Sequence, residues 1–307
     1  MTGGGLIGGT WCEQCWIKSK NENNILICAS VFPSVYYCVC NTAFDGIWNQ
    51  FYKLAGGGNK IDFIALDNYI KLVKDETFWM SFLNNLKFMA LMLVFQIGLA
   101  FVFAIVVQNK RVKFQGFHRR VIFLPSVLSS VVVAMIWQIV YNKDIGLISA
   151  IMEKIGMEDI VPLWLDDPKI VIYSLAIVLI WQFVGQYVII MMAGFQNVDT
   201  SLMEAAKIDG ASYSQTVRYV TLPLMKPTLS VCVTLCVSGC MKLFDTIYAM
   251  TGGGPGRSST VTALYAYDVA FKTKQLSYAS AVSIGMIILS VILIGGVSRI
   301  FREKEEQ

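Results

Sequence analysis

The sequence predicts an all-α protein that crosses a membrane six times. Three observations carry that reading. Of 307 residues, 55% are apolar and only 15% are charged, where an ordinary soluble domain has about a quarter charged. The mean hydropathy is +0.58. The apolar residues also gather into six runs of roughly the 20 residues that a helix needs to cross the hydrocarbon layer. A soluble core of buried helices does not ordinarily give six separate runs of that length. The net charge of +4 is small. No Lys/Arg run is interleaved with aromatics, so nucleic acid is not an expected partner.

The runs fall at 25–44, 85–107, 121–141, 170–193, 227–244 and 279–300. The first is the shortest on apolar content, since it carries Pro33, two Tyr and three Cys. Lys18 and Lys20 precede it, without a small-residue cleavage site, so it reads as an uncleaved span. Lys110, Arg111, Lys113, Arg119 and Arg120 follow the second run with no acid among them, which predicts a cytoplasmic loop. The connection 142–169 holds Lys143, Lys154 and Lys169 against Asp144, Glu153, Glu158, Asp159, Asp166 and Asp167, which predicts an external one. Six spans then put both termini inside, and Arg299, Arg302 and Lys304 near the C-terminus agree. The resulting division is a cytoplasmic segment 1–24, a membrane domain 25–301 and a cytoplasmic tail 302–307.

The connection 194–226 is patterned like a folded element. Ser201-Leu202-Met203-Glu204 has the spacing of a helix capping box. The helix it opens is predicted to end at Ile208 or Asp209, with Gly210 supplying the left-handed stop. Ser212-Tyr213-Ser214-Gln215 has the spacing of a second box, for a helix that runs to about Val220 and stops before Pro223. Helix, glycine turn and helix would thus lie against the cytoplasmic face. Ala205 and Ala206 are small enough for close approach of a partner. Glu204, Lys207 and Asp209 supply charge.

The spacing of Glu204-Ala205-Ala206, three residues, Gly210, nine residues and Val220-Thr221-Leu222-Pro223 closely resembles the EAA loop of bacterial ABC importer permeases. The family pattern is EAA-x3-G-x9-I-x-L-P, and only Val220 departs from it. Phe244-Asp245-Thr246-Ile247-Tyr248, followed by Thr251-Gly252-Gly253-Gly254-Pro255-Gly256, resembles the external turn of the sugar-importer branch. Leu124-Pro125-Ser126, Ile136-Trp137, Trp164-Leu165-Asp166-Asp167-Pro168 and Leu66-Asp67-Asn68-Tyr69 are similar to that branch as well. The likeness runs from about Phe63 to the C-terminus and does not reach the first 60 residues.

The resemblance implies a division of labour. An extracytoplasmic solute-binding protein delivers a sugar or oligosaccharide. This chain and a second EAA-type permease form the path through the bilayer of a bacterial cytoplasmic membrane. Two ATPase subunits bind and hydrolyse ATP with Mg. The coupling contact would be made by Glu204, Ala205, Ala206, Lys207, Asp209 and Gly210. The chain itself is expected to hold no cofactor and to be no enzyme. It has no G-x-x-x-x-G-K-[ST] sequence, and the stretch from Gly252 carries Pro255 and Arg257 where that motif differs. Eight Cys and one His form no recognisable metal set, and Cys12 and Cys15 have no second pair near them.

Polar residues inside spans are costly and so informative. Gln182 and Gln186 lie one turn apart beside Trp181 and Tyr187, and Lys242 and Asp245 are three apart beyond Gly239. Either they line a sugar path or they serve interhelical hydrogen bonding and a local ion pair. A stand-alone secondary carrier is the competing reading. It predicts inverted repeats and intramembrane carboxylates, neither of which the sequence offers.

Overall fold

The computed structural model describes residues 52–54, 61–63, 66–108, 113–156 and 161–302. The run at 25–44, Cys12, Cys15 and the terminal segments lie outside the described residues. The described residues are helical apart from one short antiparallel pair, β1 (Tyr52–Leu54) and β2 (Ile61–Phe63). Helix α1 spans Asp67–Lys74 and leads into α2, Glu76–Gln108. Asp75 caps α2, its carboxylate accepting from the Thr77 and Phe78 N–H groups at 2.9 and 3.3 Å.

The α2 span begins nine residues before the sequence-predicted start. Ser81 and Asn84 lower the hydropathy there, yet both are buried and hydrogen-bonded inside the protein, as is Asn85 beside them. Helix α2 is not uniform. A π-helical turn occupies Met92–Gln96, where the Ile97 N–H reaches back to the Met92 carbonyl.

The run 121–141 is not one straight span. It folds as α3 (Gln115–Val127) and α4 (Ser130–Val140), bent by 98°. Leu128 and Ser129 are extended at the corner. Pro125 sits in the last turn of α3 and Ser129 precedes α4, a breaker and a helix-starting residue in close succession. A broken backbone at this depth must be satisfied from within the protein. The Gln182 amide does so, donating to the Leu128 carbonyl at 3.3 Å.

Helix α5 (Leu147–Lys154) lies in the following connection, and α6 (Val171–Gln196) is the central span. Leu175, Val178, Leu179 and Met191 are fully buried there. Gly185 lets α3 approach closely, since an added Cβ would overlap the Ile122 carbonyl. Helices α7 (Thr200–Ile208) and α8 (Tyr213–Leu224) form the predicted loop, and α9 (Lys226–Met241) returns at 71° to α8. Short α10 (Asp245–Thr251) and α11 (Thr262–Tyr267, continued by a π-turn Asp268–Lys272) precede the final span, α12 (Leu276–Arg302). Val94, Ile287, Val291 and Ile292 are more than half exposed, as side chains facing lipid would be. Among the described residues, three helices are long and apolar enough to cross a membrane, and up to five spans result if each bent pair counts as one.

Candidate functional site

Two regions gather the residues that the sequence singled out. The first is the α7–α8 loop. Its N-terminus differs from expectation: Asp199, not Ser201, caps α7, its carboxylate accepting from the Ser201 N–H at 2.9 Å. The Ser201 N–H hydrogen bond holds the Asp199 carboxyl below its ordinary range. An ionised acceptor also meets the positive end of the helix. Asp199 precedes the S-x-x-E string by two residues and, as a helix-starting residue itself, competes with Ser201 for the cap.

The other end of α7 follows the sequence. Gly210 has φ +81°. The Gly210 N–H bonds the Lys207 carbonyl at 3.1 Å and the Ala211 N–H bonds the Ala206 carbonyl at 2.9 Å. These are the two bonds of a Schellman stop. The Ser212–Gln215 box is formed, with the Ser212 N–H on the Gln215 Oε1 at 2.8 Å. Helix α8 departs from expectation by running through Pro223 to Leu224. A π-helical turn over Val217–Thr221 shifts the hydrogen-bond ladder just before the proline, which removes the usual conflict.

The side chains of α7 largely face outward. Glu204, Ala205, Lys207 and Asp209 are exposed, and Ala206 is half-buried. Ile208 is 86% exposed and Leu202 46%. Only Met203 reaches the core cluster, where the Thr221 hydroxyl donates to its sulfur at 3.9 Å. The helix stopped at Gly210 thus turns apolar and charged side chains outward together.

The second region is a cavity of about 260 Å³ between α2, α6, α9 and the α9–α10 corner. Gln186, Tyr187, Gly239, Lys242 and Asp245 line it, as do Met92, Gln96, Phe183, Phe244 and Thr246. An added Cβ at Gly239 would meet nothing within 4 Å, so the backbone there faces open space. Among the described residues no ion pair within 4 Å joins Lys242 to Asp245, and both side chains are exposed.

Two predicted path residues lie elsewhere. Gln182 is 1% exposed and is spent on the α3–α4 corner, bonding Leu128 and Ser130. Trp181 turns to the opposite side, where it packs edge-on against Trp137 at 5.6 Å. The four-residue spacing from Gln182 to Gln186 did put both on neighbouring turns, but only Gln186 faces the cavity.

Thr251, Gly252, Gly253, Gly254 and Pro255 form a turn that satisfies itself. Gly252, Gly253 and Gly256 have positive φ, and the Gly254–Pro255 bond is cis. Thr251 and Ser259 hydroxyls bond at 2.9 Å, and the Ser259 hydroxyl donates to the Gly254 carbonyl at 2.6 Å. The Arg257 guanidinium fastens the turn to Thr77 at 3.1 Å. Beside it, Phe244 stacks on Tyr248 at 5.3 Å, and Tyr267 meets both rings at 5.4 Å. This aromatic group connects the cavity wall at Phe244 to exposed Tyr248.

Comparison with known proteins fits this architecture. Residues 77–304 match the family described as binding-protein-dependent transport system inner membrane component. The chain is 29% identical over 290 residues to the probable ABC transporter permease protein YurN of Bacillus subtilis, covering 94% of this chain and 99% of the relative. It is 30% identical over 241 residues to the lactose transport system permease protein LacF of Rhizobium radiobacter, covering 78% and 80%. Its fold matches a chain of the crystal structure of a bacterial alginate ABC transporter in complex with an alginate pentasaccharide-bound periplasmic protein. The TM-score is 0.74 at 20% identity, over 91% of this chain and 95% of that one.

Proposed function

This chain belongs to the family of binding-protein-dependent transport system inner membrane components, and from that premise we propose that it carries a neutral sugar or oligosaccharide inward. It is a multi-pass membrane permease of the ABC importer type, and ATP is hydrolysed on separate subunits. Family membership sets aside the stand-alone carrier.

The cavity carries the carbohydrate reading. It offers one amine, one carboxylate, amides, a threonine and aromatic faces, a set that suits uncharged hydroxyls better than a phosphate or a polyanion. That the LacF relative is named for lactose transport supports the class. The alginate importer is named for an acidic polysaccharide, and a single lysine on this cavity favours a neutral solute instead.

The assembly proposed has this chain beside a second EAA-type permease, two ATPase subunits holding ATP and Mg, and an extracytoplasmic binding protein. Helix α7 is the coupling helix on the cytoplasmic face. Glu204, Ala205, Ala206, Lys207 and Asp209 meet the ATPase, and Gly210 aims the helix. ATPase closure then rocks α6 and α9, which flank the loop, and opens the cavity to one side or the other. The basic residues Lys113, Arg119 and Arg120, just before and within the first turns of α3, support a cytoplasmic placement of that face and of both termini. The turn from Thr251 to Pro255 would lie outside, toward the binding protein.

The test is purification of the chain from its host in mild detergent, with mass spectrometry of what accompanies it. Recovery of a second permease and an ATPase is expected. A chain recovered alone, and moving solute in liposomes without ATP, would overturn the reading.

A further inference from the structure

Gln96 is fully buried, at 0% exposure, on the last position of the π-helical turn in α2. Neither its amide nitrogen nor its amide oxygen has a hydrogen-bond partner among the described residues. A buried amide with two orphaned ends is rare, because each end has lost water and gained nothing. Gln182 faces the same problem and solves half of it at Leu128 and Ser130. Gln96 lines the cavity together with Gln186, Tyr187 and Lys242.

The backbone explains how the amide comes to sit there. The α-helical stretches before and after the turn bury apolar side chains such as Phe88, Ile97 and Ala100. A π-turn inserts one residue into that ladder, which lets the packing faces of both halves stay in register while one side chain is redirected. The sequence marks the position: Gln96 is the polar interruption in an apolar stretch from Phe88 to Val107, as Gln182 is in its own span.

We propose that Gln96 is a solute-contacting, specificity-determining residue, whose amide donates to and accepts from hydroxyl groups of the carbohydrate held in the cavity. The inference rests on the carbohydrate reading given above and deepens it. The amide is neutral, reads a hydroxyl with either end, and shares the cavity lining with Gln186. Solute passing from the binding protein into the cavity is retained by these amides until the inner side opens. A weaker hold returns it outward, so that ATP is consumed without import.

The experiment uses the assembled importer in proteoliposomes with its binding protein. The probe is a mixture of isotope-labelled glucose, galactose, lactose, maltose and trehalose, and mass spectrometry reads what enters. Gln96→Met and Gln96→Glu are compared with the wild type. Sugar imported per ATP hydrolysed should fall about tenfold in Gln96→Met, the effect of losing one well-made hydrogen bond. Stimulation of ATP hydrolysis by loaded binding protein should persist, and Tm should hold or rise because an orphaned amide is gone. Gln96→Glu, which keeps an acceptor, should lie between the two. Import per ATP equal to wild type in both variants overturns the inference, as does a parallel loss of import, ATP hydrolysis and Tm. A wild type that imports none of the sugars while importing another solute overturns the carbohydrate reading, and the inference with it.

Discussion

Asn85 takes both the backbone N–H and the hydroxyl of Thr262 on one side-chain oxygen, at 2.8 and 2.6 Å. Its amide nitrogen donates to the Cys240 carbonyl at 2.8 Å. One buried side chain therefore ties α2 to the end of α9 and the start of α11. Asn85→Leu fits the volume but orphans these groups, at about 1–3 kcal/mol for each one left without a partner. A clear fall in Tm in detergent is expected. Lys272→Ala, at an exposed ion pair with Asp268, should change stability by less than about 1 kcal/mol.

Gln182 and Gln96 make contrasting predictions. Gln182 braces the bend between α3 and α4, so Gln182→Leu leaves the Leu128 carbonyl unpaired inside the membrane. Tm and the amount of folded complex should fall together. Sugar moved per ATP by the surviving complex should stay as in the wild type. A changed ratio at normal Tm would place Gln182 on the solute path instead.

Asp75 gathers a second network on the opposite face from α7. Its carboxylate caps α2 and accepts from the Tyr265 and Tyr278 hydroxyls. Burial pushes the carboxyl up, but the two hydroxyls and the Phe78 and Thr77 N–H groups outweigh it and hold the group below its ordinary range. The stabilisation is fully present above the unfolded value of about 3.9 and is lost as pH falls through the depressed folded value. Asp75→Asn should lower Tm near neutral pH. It should also flatten the acid limb of the Tm–pH profile below about pH 4. An unchanged acid limb would show that another carboxylate governs it.

Much of this was legible in the sequence because the relevant signals are local. Gly210 needed a conformation that only glycine adopts freely, and Ser212 with Gln215 closes within three residues. Apolar runs gave the spans because lipid imposes a length. What the sequence hid was set by tertiary contact. The polar residues Ser81 and Asn84 masked the first turns of α2, because Ser81 is satisfied within its own helix and the partner of Asn84, Thr260, lies far along the chain. The 98° bend at Leu128 depends on Gln182 from another helix. Helical spacing placed Gln182 and Gln186 on adjacent turns, but only packing decides which one faces the cavity. Gln96 is marked as the polar interruption of an apolar stretch, but its burial without partners among the described residues follows from the π-turn and the packing around it.

The central claim is that α7, held by its glycine stop, transmits ATPase closure to the cavity. The most direct test measures sugar uptake and ATP hydrolysis together in proteoliposomes of the assembled importer carrying Gly210→Pro. Proline cannot adopt the φ of +81° found there and removes the N–H that bonds Lys207. The variant should retain its sister permease and a near-normal Tm, while uptake is lost and ATP hydrolysis no longer responds to loaded binding protein. Normal uptake and normal stimulation at normal expression would contradict the account.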